Sequence, residues 1–117
     1  MATSSNILSQ EMIANNLHIN NPIHPGEIIK DEMTYLGITQ KKLSEITGIS
    51  YTVINEIVHC KRQVSIEYAM LFEAALSLNA EMLVNMQIRY NKEILLKDNK
   101  FLSHLKEVQK LVASIAL

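Results

Sequence analysis

From Pro25 to Tyr90 the apolar residues recur at intervals of three and four, and no stretch alternates with period two. Such spacing predicts helices with one inward face and no strands. Pro25 suits the first turn of a helix, where its missing N–H is not needed, so a first helix is expected over 25–36 with Ile28, Ile29, Met33 and Leu36 as its apolar stripe and Gly37 as its stop. Thr39 can cap a second helix over 40–47, with Leu43 and Ile46 facing inward. Gly48 stands where a left-handed residue would end that helix, Ile49 can plug the bend, and Ser50 can cap a third helix over 51–59 that turns Ile54, Ile57 and Val58 inward. A fourth helix follows the cap Ser65, has Glu67 in its first turn where the dipole favours a carboxylate, and buries Ala69, Phe72, Ala75 and Leu76. A fifth follows Asn79 and presents Met82, Leu83, Met86 and Tyr90.

The ends differ from this middle. Residues 1–22 are rich in Ser and Asn, with Ile7, Leu8, Met12, Ile13 and Leu17 as the apolar side chains able to line a short helix, and they are expected to form an N-terminal arm. In residues 92–117, Phe101, Leu105, Val108, Val112 and Ile115 make a heptad stripe too short for a convincing coiled coil, so a further C-terminal helix is expected there.

With 117 residues, 48% of them apolar, the chain can bury one modest core. A net charge of −1 and a pI near 6.4 exert no global pull toward nucleic acid or anionic lipid. One local stretch is different: between Ile38 and Ile66, Lys41, Lys42, Lys61 and Arg62 oppose only Glu45 and Glu56, with His59 available for a fractional charge. Cys60 is the single cysteine, which excludes an internal disulfide and suits a reducing compartment. No secretory signal or membrane-length apolar run is legible, so a soluble cytoplasmic protein without a membrane partner is expected. His59 and Cys60 are adjacent and point to different sides of a helix, and neither CxxC nor HExxH occurs. No metal site, cofactor or catalytic residue is expected, and the chain does not read as an enzyme.

Two helices joined at a glycine, the second capped by Ser and apolar only on its inner side, form a helix-turn-helix pattern. An elbow of this kind can hold its second helix in the major groove of DNA while the first crosses the phosphates. The residues "TQKKLSEITGIS" and "INEIVHCKR" resemble the helix-turn-helix of the Cro/C1-repressor superfamily. More narrowly, "HPGEIIKDEM" at 24–33, "INEI" at 54–57, Lys61 with Arg62, and "EMLVNMQ" at 81–87 resemble HigA-type addiction-module antitoxins. The pattern departs at Cys60 and Ser77, where the family usually has Gly, and at Leu83, where tryptophan is frequent.

The resemblance covers about residues 23–91 and implies an all-α, five-helix, lambda-repressor-like helix-turn-helix domain, flanked by the 1–22 arm and the 92–117 extension. It further implies a homodimer on an inverted-repeat operator in double-stranded DNA, repressing its own operon and neutralising a small partner toxin. Two other readings stay open: a stand-alone phage-type or host repressor, and a helical interaction module without DNA binding. The extension is expected to pack on the protein's own core or across a dimer, with a toxin-binding helix as the alternative.

On the third helix, Thr52 can bond either kind of base edge, Asn55 can grip adenine, and Val53 can rest on a thymine methyl. Glu56 can accept from a cytosine amine, although orienting a neighbouring Lys or Arg is the favoured reading. Gln40, Lys41, Lys42, Ser50, Tyr51, Lys61 and Arg62 are expected to hold phosphates without reading sequence.

Overall fold

The computed structural model describes residues 22–115, and six α-helices account for most of them: α1 Pro25–Leu36, α2 Gln40–Thr47, α3 Tyr51–Val58, α4 Ile66–Leu76, α5 Ala80–Leu96 and α6 Asn99–Ile115. No strand occurs among the described residues. The apolar positions expected in the N-terminal arm, from Ile7 to Leu17, lie outside them.

Each early helix begins at the cap its sequence offers. Thr39, Ser50 and Ser65 accept from the amides of Lys42, Val53 and Tyr68 at 3.1, 3.2 and 3.1 Å, which satisfies donors that a helix start otherwise leaves unpaired. Asn79 Oδ1 accepts from Met82 N at 2.8 Å, and Glu73 Oε2 accepts from Ala80 N at 2.9 Å, so α5 starts under two side-chain acceptors. Gly37 and Gly48 close α1 and α2 at φ of 69° and 77°, a region their missing Cβ makes accessible.

The described residues divide into a compact unit of Ile23–Arg89 and a second that takes in the chain from Tyr90 on, the boundary falling within α5. In the first unit α3 packs against α1 and α2, and α4 packs against the same two helices. Its core is Ile29 and Met33 of α1, Leu43 of α2, Ile49 in the elbow, Ile54, Ile57 and Val58 of α3, Val64 beyond it, Ala69, Phe72 and Leu76 of α4, and Leu83 of α5. In the second unit α6 buries none of its residues; Val108, Val112 and Ile115 are exposed, and Phe101 and Leu105 are half-buried.

Three positions read as inward are not. Ile46 is 52% exposed, because the buried arc of α2 runs through Gln40, Leu43, Ser44 and Thr47 and leaves Ile46 at its edge. Leu36 is exposed because the chain turns at Gly37, and Ile38 packs on the core instead. Met82 is exposed because the inward ridge of α5 is Ala80, Leu83, Val84 and Gln87. Ile28, Ala75, Met86 and Tyr90 are half-buried.

Candidate nucleic-acid interface

The elbow between α2 and α3 is tied by side chains as well as by Gly48. Ser44 Oγ donates to the Ile49 carbonyl at 2.6 Å, while Thr47 Oγ1 donates to the Leu43 carbonyl at 2.7 Å and accepts from Ile49 N at 3.2 Å. These bonds satisfy backbone groups at the bend and drive Ile49 into the core, where it is buried. The direction in which α3 leaves the elbow is thereby fixed.

The far end of α3 is closed by two reciprocal bonds. Lys61 N donates to the Glu56 carbonyl at 2.8 Å and Cys60 N to the Ile57 carbonyl at 2.9 Å, with Cys60 left-handed at φ 62°. This is a Schellman closure carried out with Cys in the place that glycine ordinarily takes. Ser77, at the end of α4, is likewise left-handed at φ 58°. Burial pushes the Cys60 thiol above its ordinary pKa, which favours the neutral thiol.

The His24-Pro25-Gly26 stretch holds α3 from behind. His24 is buried and its Nδ1 accepts from Gly26 N at 2.9 Å, capping α1, while a hydrogen bond to the Arg62 backbone ties it to the segment after α3. Gly26 lies so close to the Ile57 carbonyl oxygen that a Cβ there would collide with it. Val64 N donates to the buried Oε1 of Gln87 at 2.9 Å, anchoring the same segment to α5. The roles of His24, Gly26 and Gln87 were not legible from periodicity, which reports apolar faces; only the Pro at a helix start hinted that the preceding residue is a cap.

Tyr51 and Thr52 are exposed at the start of α3, and Val53, Asn55 and Glu56 are half-buried, Val53 packing on the core. Asn55 Nδ2 donates to Gln40 Oε1 at 2.9 Å across the elbow, so a residue expected at a base and one expected at a phosphate form one pair. Asn55 Oδ1 and its second amide hydrogen remain for a ligand. Glu56 Oε1 accepts from Arg62 Nε at 2.8 Å and lies 2.8 Å from Arg62 Nη2, so one carboxylate oxygen holds the guanidinium. Lys41, Lys42 and Lys61 are exposed, with Lys42 in a loose pair 3.9 Å from Glu45, and Ser50 is exposed although its hydroxyl caps α3. No group of three or more metal-binding side chains occurs among the described residues, and no described helix is long and apolar enough to cross a membrane.

A tied elbow, a capped second helix with a polar outer face and lysines at both ends define a helix-turn-helix protein. In sequence the chain matches no protein-family model and no curated protein. Solved structures do match it. An antidote protein of a plasmid maintenance system from Nostoc punctiforme is 28% identical, with a TM-score of 0.62 over 82% of this chain and 97% of the other. A Pseudomonas aeruginosa protein solved in complex with its 18-base-pair operator DNA is 28% identical, with a TM-score of 0.63 over 72% of this chain and 92% of that one. The Pseudomonas aeruginosa antitoxin HigA, solved with the higBA promoter, is 25% identical, with a TM-score of 0.62 over 77% and 94%. In architecture the chain is an all-helical helix-turn-helix protein similar to HigA-family antitoxins.

Proposed function

We propose that this chain is a sequence-specific DNA-binding antitoxin of the cytoplasm, without enzymatic activity. The observation that carries the reading is the α2–α3 elbow, held from three sides and facing outward with Thr52, Asn55 and flanking lysines. The likeness to HigA solved with promoter DNA supports it. Residues 23–91 act as the DNA-binding domain, between an arm at 1–22 and an extension at 92–117.

A homodimer binds an inverted repeat upstream of its own gene, represses that operon and neutralises the toxin encoded beside it. Thr52, Asn55 and Val53 meet bases from α3. Glu56 acts by holding Arg62, and Arg62, Lys61, Lys41, Lys42, Gln40, Ser50 and Tyr51 hold phosphates. Asn55 meets its base while bonded to Gln40, so the two amides position each other. Co-expression with the adjacent gene tests the antitoxin role. Restored growth and co-elution of the two products are the expected results; toxicity that persists with the products eluting apart leaves a stand-alone repressor.

A further inference from the structure

The C-terminal end of α3 holds a titratable side chain in a fixed pose. Thr52, Asn55 and His59 follow one another at intervals of three and four, the repeat of a single helix face, so the outward line that begins at Thr52 ends at His59. His59 is exposed, and its Nδ1 lies 2.7 Å from the Asn55 carbonyl oxygen. A carbonyl only accepts, so Nδ1 is the donor and Nε2 remains for a ligand. Because Nδ1 donates in both the neutral and the protonated ring, a proton gained at Nε2 leaves the imidazole where it is.

A neutral ring can only accept at Nε2, whereas an imidazolium donates there, and only the second can hold a phosphate oxygen. His59 stands between the base-facing Thr52 and Asn55 and the cations Lys61 and Arg62 that follow it. The carboxylate of its own helix, Glu56, is engaged by Arg62. Of the elements packed against α3, α1 brings Glu27 and Lys30, whose charges act on the neighbouring Cys60, and the cap of α1, His24, bonds the Arg62 backbone. From α2, Lys41 is exposed, while Lys42 and Glu45 pair with each other. No carboxylate among the described residues forms an ion pair with His59.

We propose that His59 is a further DNA-contacting residue of α3, whose Nε2, protonated on binding, donates to a phosphate oxygen at the edge of the major groove. The proposal rests on the DNA-binding reading and adds a dependence on pH to it. Operator binding takes up a proton at His59, so affinity rises as pH falls through neutrality. The bond to the Asn55 carbonyl sets the ring at the end of the line that Asn55 presents to a base, so one helix face carries both the base contact and the proton-linked phosphate contact.

The test uses the full chain and a duplex of the DNA upstream of its gene, with affinity measured by fluorescence anisotropy from about pH 6.5 to pH 8, a range over which the contribution of His24 to stability is full. Far-UV circular dichroism checks that each variant folds. The unaltered chain is expected to bind about fivefold more weakly at the upper end, as loss of the bound proton requires. His59→Gln is expected to be weaker by about fivefold already at the lower end, to change little with pH, and to have a salt slope lower by about one counterion. His59→Lys, a permanent cation, keeps tight binding at both ends. Wild-type affinity of His59→Gln at the lower end overturns the proposal, as does a pH dependence that this variant leaves intact. A loss confined to one operator base pair and independent of pH also overturns it, because a neutral Nε2 would then be accepting from a base. Equal losses in the Gln and Lys variants do the same, since His59 would then act only by bonding the Asn55 carbonyl. If the unaltered chain does not bind the duplex at either end of the range, the DNA-binding reading falls and the His59 proposal falls with it.

Discussion

At Cys60 the chain holds a side chain in a conformation that costs an L-residue about 1–2 kcal/mol, because Cβ crowds the following carbonyl. Cys60→Gly removes that strain but adds freedom to the unfolded chain, about 0.4–1 kcal/mol the other way. A net gain of about 0.5–1 kcal/mol is expected, read as a higher midpoint in urea unfolding with an unchanged slope. A lower midpoint would show that the Cys60 side chain contributes more by its packing than its backbone loses. The outer face of α3 supports a sharper contrast. Thr52→Ala and Asn55→Ala should each cost on the order of 1–3 kcal/mol of operator binding and relax preference at one position. Lys61→Ala should weaken all sequences about equally and lower the salt slope by about one counterion, since an ammonium meets phosphate as a point charge. Competition binding across single-base operator variants separates these outcomes. The outward residue types of α3 were legible from the order of apolar and polar positions. The Gln40–Asn55 bond was not, because it joins residues fifteen apart; that Glu56 orients a nearby cation was legible, while the choice of Arg62 depends on a turn at Cys60 that few non-glycine residues adopt.

For whole elements, α1 is as much a brace for α3 as a helix in its own right. His24 caps it, is buried and bonds the Arg62 backbone, and Gly26 brings its first turn against the Ile57 carbonyl. Burial pushes the His24 pKa below its ordinary value of 6.5, against smaller upward pulls from the Arg62 backbone bond and Glu27. In the unfolded chain this imidazole takes up a proton first. Stability from His24 is therefore full above about pH 6.5 and is lost as pH falls from there toward the lower folded value. Urea unfolding from pH 8 to pH 5 should show this fall, and His24→Asn, which keeps a capping oxygen, should flatten it. An equally steep fall in the variant would assign the dependence to other groups. Helix starts and stops were the most legible feature, since Thr39, Ser50, Ser65, Gly37 and Gly48 each act through their own backbone. Burial at the helix margins was less so. Ile46, Leu36 and Met82 have the right spacing, but where a short helix turns its apolar arc is set by neighbours distant in sequence.

The whole molecule sets a cationic elbow in one stretch of the chain and, from 63 to 88, a stretch whose only charged side chains are Glu67, Glu73 and Glu81, within a net charge of only −1. Averaged charge therefore carried little information, and its distribution carried much more. The extension adds a helix whose apolar stripe is exposed at Val108, Val112 and Ile115, which favours burial across a dimer. A chain ending at Asp98 should then lose dimerisation, seen as a halved mass in sedimentation equilibrium. A folded dimer of the shortened chain would instead point to a partner-binding role for α6. The central claim is that the elbow presents α3 to the major groove. Two such helices in a dimer should lie roughly 34 Å apart, one turn of DNA. Footprinting of the full chain on the DNA upstream of its gene, beside the Thr52→Ala and Asn55→Ala variants, tests this most directly. The expected result is an inverted repeat with half-site centres about one turn apart, protected by the unaltered chain and more weakly by each variant. Absence of any such repeat, together with unchanged protection by both variants, would contradict it.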